Sequence, residues 1–139
     1  MFIGTKYGKI ALYCEGNQEG TPIIMLHGYP SNSTEWEHFM KALKWGNMRM
    51  IGIDMPGCGK SEGNPLSSRS DHNMDKDGPL DVVCEVLKAL KISSAHFIGF
   101  DWGGGLVLSM AIKYPKYVKK VISFMPSYTE ITPNELNKI

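Results

Sequence analysis

Residues 96–105 read HFIGFDWGGG, from His96 to Gly105. A short apolar run leads into a carboxylate, a tryptophan and three glycines. Gly99, Asp101 and Gly103 form the pattern small–x–acid–x–small. A strand that turns sharply into a helix crowds the residues two before and two after the apex, and glycine at both places relieves that crowding. The apex side chain then projects away from the sheet. The free N–H groups of the following helix favour a negative charge beside it. Taken alone, an Asp before a helix also reads as an N-cap, the simpler alternative for Asp101.

Working outward, Phe97–Phe100 reads as a strand and Leu106–Tyr114 as a helix stopped at Pro115. Val118–Phe124 reads as a last strand. Upstream, Phe2–Tyr7 and Lys9–Glu15 read as a hairpin joined at Gly8, and Gly16–Gly20 as a polar turn. Ile23–Leu26 and Met48–Ile53 are continuous apolar runs, as strands buried on both faces would be. Ser31 to Thr34 offers capping residues for a helix carrying Trp36, Phe39, Met40 and Leu43. A second helix carries Leu80, Val83, Val86, Leu87 and Leu90, with Asp77 as its expected cap. Ser67–Lys76 reads as a loop, and Pro126–Ile139 carries no assignment. Strands alternating with helices imply an α/β fold, a mostly parallel sheet with helices on both faces. Ligands bind such sheets outside the carboxyl ends of the strands. Three glycine-rich turns leave those ends, after Leu26, Ile53 and Phe100, and should converge.

Composition narrows the class. The 139 residues suffice for about one domain, and 42% apolar with 21% charged residues fits a globular core. A net charge of +1 with dispersed Lys and Arg gives no footprint for nucleic acid or an anionic membrane. No apolar run approaches the ~20 residues of a membrane helix, and no signal-peptide core opens the chain. Cys14, Cys58 and Cys84 lie far apart without a C-x-x-C pair. Neither a disulfide framework nor a metal site is expected, and a reducing, cytoplasmic compartment is.

Three stretches, in this order, resemble the α/β-hydrolase superfamily, and within it the epoxide-hydrolase and haloalkane-dehalogenase branch. His27-Gly28-Tyr29-Pro30 is similar to the H-G-x-P oxyanion loop. Asp54-Met55-Pro56-Gly57-Cys58-Gly59-Lys60-Ser61 is similar to the D-x-P-G-x-G-x-S loop, with Asp54, Gly57, Gly59 and Ser61 on the motif positions. Gly99–Gly103 is similar to the nucleophile elbow, usually written G-x-S-x-G, with Asp101 in the nucleophile seat. The resemblance implies an Asp nucleophile that displaces at a saturated carbon and leaves an alkyl-enzyme ester. It implies oxyanion donors at the backbone N–H of Tyr29 and Trp102, a supporting role for His27, and no cofactor. The implied partner is a small molecule of the epoxide, haloalkane or ester class. An aromatic residue at position 29 tilts the reading toward epoxides, with a haloalkane dehalogenase as the alternative. Trp102 could give its indole N–H to a leaving halide, or serve as core packing.

Other features read more plainly. The methionines beside apolar runs read as core filler. Asp54-x4-Gly59-Lys60-Ser61 is nearly a P-loop, but it lacks the first glycine, and Pro56 removes an amide from the loop. The family's ester hydrolysis needs a histidine after the last strand, and no histidine follows Asp101. Glu130 sits at no family position for the supporting acid. The expectation is therefore that residues 1–139 form the N-terminal portion of one α/β-hydrolase domain, strands one to six, without the cap and last strands. Two alternatives are a non-catalytic binding module and an interaction protein that self-associates or takes a partner through edge strand 118–124.

Overall fold

The computed structural model describes residues 1–43, 46–63 and 78–127, together with Asn134 and Asn137. The strands are β1 (Phe2–Thr5), β2 (Gly8–Gly16), β3 (Thr21–Leu26), β4 (Met48–Ile53), β5 (Ala95–Phe100) and β6 (Val118–Phe124). The helices are α1 (Glu37–Leu43), α2 (Pro79–Ala89) and α3 (Trp102–Lys113). One sheet holds all six strands in the order β1-β2-β4-β3-β5-β6. The β1–β2 and β2–β4 pairs are antiparallel, and the β4–β3, β3–β5 and β5–β6 pairs are parallel. The mostly parallel α/β sheet expected from the sequence is the one observed.

The strand order locates the functional edge. From β3 the chain crosses to β4 on one side, and from β5 it crosses to β6 on the other. The connections diverge between β3 and β5, and the carboxyl ends of those two strands therefore frame a crevice. Tyr29 follows β3 and Asp101 follows β5.

Alternation along the strands divides the core. Ile24, Leu26, Ile51 and Ile53 pack with Leu80, Val83 and Leu87 of α2 and Leu106 and Met110 of α3. Ile23, Met25, Met50 and Ile98 pack on the other face with Trp36 and with Met40 of α1. Each fully buried aliphatic side chain here contributes about 1.5–3 kcal/mol of transfer free energy. Both sheet faces are thus covered, which is why β3 and β4 read as unbroken apolar runs.

Several boundaries differ from the sequence expectation. α3 begins at Trp102 rather than Leu106. Its glycines are poor helix formers, yet packing dictates them: a Cβ on Gly103 would stand 2.2 Å from the Leu26 carbonyl oxygen. Trp36 belongs to a 3-10 turn (Ser33–Trp36) capped by Asn32, whose side chain accepts from the Thr34 N–H, and α1 proper starts at Glu37. α2 starts at Pro79 with Gly78 as its cap residue. Asp77, the loop 67–76 and Glu130 lie outside the described residues. β6 ends the strand order, with Ile122 and Phe124 about half exposed. Among the described residues no helix is long and apolar enough to cross a membrane.

Candidate active site

Asp101 sits at the turn between β5 and α3 with φ 51° and ψ −116°. A non-glycine residue with positive φ costs of the order of 1–3 kcal/mol and persists only where its surroundings hold it. Here the surroundings are tight. A Cβ on Gly99 would lie 2.1 Å from the Gly103 carbonyl oxygen. The Gly103 N–H donates to the His27 carbonyl at 3.1 Å, and the Asp101 N–H donates to the Phe124 carbonyl at 3.0 Å. Asp101 makes no capping bond to α3 through its side chain. The N-cap alternative thus accounts for its position but not for its backbone.

The carboxylate points at the β3 exit. The Tyr29 N–H donates to Asp101 Oδ2 at 3.2 Å. Partial burial pushes the carboxyl pKa up, but the neighbouring Trp102 and Tyr29 N–H groups and the Ser127 hydroxyl outweigh it and leave the pKa below the ordinary value. Asp101 is therefore ionised at neutral pH. Tyr29 is one of the two residues whose N–H the resemblance names as an oxyanion donor.

The walls around Asp101 are aromatic. Tyr29 is 48% and Phe100 37% exposed. The Tyr29 and Trp102 rings meet edge to face at 6.1 Å. Gly28 passes so close that a Cβ there would stand 3.0 Å from the Asp101 Cβ. Its N–H donates to Glu35 at 3.4 Å, and the Tyr29–Pro30 peptide is cis.

His27 is fully buried and has both ring nitrogens engaged. Nε2 accepts the Met55 N–H at 3.1 Å, which leaves Nδ1 to carry the proton and donate to the Gly28 carbonyl at 2.6 Å. Burial pushes its pKa down. This neutral imidazole stitches the β3 exit to the β4 exit and has no lone pair to spare for a base.

Asp54 serves the same purpose in the second loop. Its Oδ1 accepts the Ser33 N–H at 2.7 Å and its Oδ2 the Lys60 N–H at 2.8 Å. Gly59 lies against that carboxylate, 2.1 Å from Oδ2 for an added Cβ. The Ser61 hydroxyl donates to the Asp54 carbonyl at 2.6 Å and accepts the Ala11 N–H at 2.8 Å. In the near P-loop, a carboxylate thus occupies an amide that phosphate binding would require. A hollow of about 470 Å³ nearby is walled by Leu12, Asn32, Asp54 and Lys60 among others, and Asp101 is not on its wall.

The alpha/beta hydrolase fold model matches residues 21–138, a span that contains all three loops. The chain belongs to the alpha/beta hydrolase fold family. The chain is 35% identical over 127 residues to bifunctional epoxide hydrolase 2 of Sus scrofa, covering 86% of the chain and 21% of the relative. An epoxide hydrolase from Bacillus megaterium superposes with a TM-score of 0.74 at 26% identity, covering 88% of this chain and 41% of that one. An esterase from Exiguobacterium antarcticum superposes with a TM-score of 0.72 at 31% identity, over 88% and 43% respectively. The chain thus spans about a fifth of the epoxide hydrolase 2 length.

Sequence reasoning did not find Ser127, the Phe124 carbonyl or Glu35. The first two meet Asp101 across 26 and 23 residues of chain. The Phe124 contact is made by a backbone atom, which carries no residue-type signal.

Proposed function

We propose that Asp101 is the nucleophile of an epoxide hydrolase-type reaction, forming an alkyl-enzyme ester. The observation that carries this is the carboxylate itself: ionised, at a strained elbow, with Oδ2 held by the Tyr29 N–H. Oδ1 then attacks a ring carbon of the epoxide. The Oδ1–C bond forms, the ring C–O bond breaks, and the alkoxide takes a proton from solvent. No proton need leave the nucleophile first, as one must with serine. Oδ2 becomes the ester carbonyl oxygen. When water adds to Cγ, negative charge develops on Oδ2, to which the Tyr29 N–H donates, and the resemblance supplies the Trp102 N–H as the second donor.

Aromatic surfaces at Tyr29 and Phe100 favour an apolar substituent on the epoxide. A bromoalkane would meet the same carboxylate, and the aromatic residue at position 29 favours the epoxide. Water activation for the second step needs a base that His27 cannot provide. His96 lies at the opposite end of β5 from Asp101. The proposal therefore assigns residues 1–139 to strands one to six of a longer hydrolase, whose base comes from outside this sequence. The partial coverage of its relatives supports that assignment.

Exposure of the protein to styrene oxide, followed by intact mass measurement, tests the proposal. One added substrate mass in the native chain, lost in Asp101→Asn, is expected. No adduct in the native chain, or an undiminished adduct in the variant, contradicts it.

A further inference from the structure

We infer that the amino edge of β5 and β6 is a basic docking surface for an anionic lipid membrane, at the pole opposite the Asp101 crevice. Residues 86–127 hold six lysines, no arginine and one acid, Asp101. Residues 1–85 hold eleven acids against eight basic residues. A net charge of +1 averages the two stretches, which is why whole-chain composition shows no anionic partner. The fold gathers what composition averages. Each helix returns the chain from the carboxyl to the amino edge of the sheet, so α2 and α3 end where β5 and β6 begin. Lys88 and Lys91 lie at the end of α2, Lys113 and Lys116 at the end of α3, and Lys119 and Lys120 at the start of β6. All six are exposed. Among the described residues Lys88, Lys91, Lys116, Lys119 and Lys120 form no salt bridge. Asp101 lies the length of α3 away, about 18 Å.

Ordinary structural roles cover part of this pattern. Lys88 and Lys113 stand in the last turns of their helices, where a cation offsets the helix dipole. Lysine on an edge strand also discourages unwanted strand pairing. Two features exceed those roles. Lys91 takes a φ of 56°, with its N–H donating to the Lys88 carbonyl and the Ile92 N–H donating to the Leu87 carbonyl. Glycine is the unstrained residue for that helix-ending turn, yet a lysine holds it. In β6, Val118 pairs with Ala95 and Val121 with Phe97, so Lys119 and Lys120 both stand opposite the single residue His96. This bulge presents two exposed lysines where a regular strand would present one residue.

Side-chain chemistry selects the partner. A planar guanidinium grips one carboxylate or phosphate with paired bonds, whereas an ammonium is a point charge that needs no fixed geometry. A surface of lysines alone therefore suits a diffuse layer of anionic headgroups, which attracts clustered lysines without apolar insertion. The lysines spread over the ends of two helices and a strand rather than lining a cleft, and the hollow at Asn32, Asp54 and Lys60 contains none of them. Tyr117 is half-buried with the Lys116 ammonium over its ring at 5.0 Å, which leaves no open platform for stacking a nucleic-acid base. Docking through this pole leaves the Asp101 crevice facing water.

Cosedimentation with vesicles of equal parts phosphatidylcholine and phosphatidylserine tests the inference, with pure phosphatidylcholine vesicles as the reference. The native chain should bind the anionic vesicles, leave them at high salt and ignore the neutral ones. A variant combining Lys91→Gln, Lys116→Gln and Lys120→Gln should bind about a hundredfold more weakly, roughly fivefold for each lysine. A second variant combining Lys6→Gln, Lys9→Gln and Lys41→Gln makes the same change in net charge on other elements, and should lose less than about fivefold. All six substituted positions are exposed, and circular dichroism checks that both variants fold. A native chain that ignores the anionic vesicles, or binds the neutral ones equally, would overturn the inference. So would an equal loss in the second variant, because binding would then follow net charge rather than this pole. Tighter binding to duplex DNA than to the anionic vesicles at the same salt would also overturn it, and would assign the surface to nucleic acid.

Discussion

Asp54 and Asp101 each follow a parallel strand, each precede a glycine-rich turn, and each receive backbone N–H donors at the carboxyl edge of the same sheet. They differ in what is left over. Asp54 is 4% exposed, with both oxygens bound to amides of loops that it joins. Asp101 is partly exposed, on a backbone with positive φ, with aromatic side chains around it. A carboxylate whose oxygens are all committed is a joint. One held at one oxygen and open to solvent is a reagent. The chemistry of the side chain is identical, and its role follows from backbone geometry and access.

That contrast can be broken at several points. The largest effect should come from Gly99→Ala, because the added Cβ meets the backbone of Gly103 rather than a movable side chain. More than about 3 kcal/mol of stability should be lost, since backbone on both sides prevents relief. Chemical denaturation measures it, and a loss under 1 kcal/mol would mean the elbow is looser than described.

Asp54→Ala should come next. It strands the Ser33 and Lys60 N–H groups, at about 1–3 kcal/mol for each buried donor left unpaired. A drop of about 2–4 kcal/mol in the same denaturation experiment is expected. Asp101→Gly should go the other way. It relieves the positive φ and should raise stability by about 1 kcal/mol. A protein destabilised as much by Asp101→Gly as by Asp54→Ala would erase the distinction between joint and reagent.

The smallest effect concerns pH. His27 has its pKa lowered by burial below the ordinary 6.5. As pH falls through 6.5 the unfolded imidazole takes up a proton while the folded one does not. The unfolded state then binds more protons, so stability falls with falling pH between 6.5 and the folded pKa. Asp101, with its pKa lowered from 3.8, contributes stability that is lost only in more acid solution. Melting temperatures at pH 7.5 and 5.5 should therefore differ in the native chain and differ less in His27→Gln. An equal slope in both would assign the effect to other groups.

Much of this contrast was legible in the sequence because local chemistry dictates it. Glycines at 99 and 103 flag the elbow, and unbroken apolar runs flag strands covered on both faces. Resemblance to the H-G-x-P loop and the elbow motif, rather than any local pattern, brought Tyr29 and Trp102 into the reading. The start of α3 at Trp102 was not legible, since the backbone that crowds Gly103 and Gly104 comes from β3 and β6. The backbone bonds from the end of β6 to Asp101 were equally hidden. A serine twenty-six residues beyond an aspartate carries no local pattern, and only the order of strands brings the two together.

The most direct measurement compares the two carboxylates in one tube. Styrene oxide is added to the folded protein and, separately, to the denatured chain, and modified peptides are mapped by mass spectrometry. Folded protein should carry the adduct on Asp101 and none on Asp54, while the denatured chain should show no preference between them. Equal labelling of the two in the folded protein, or labelling of Asp54 alone, would contradict the assignment of Asp101 as the reagent and Asp54 as the joint.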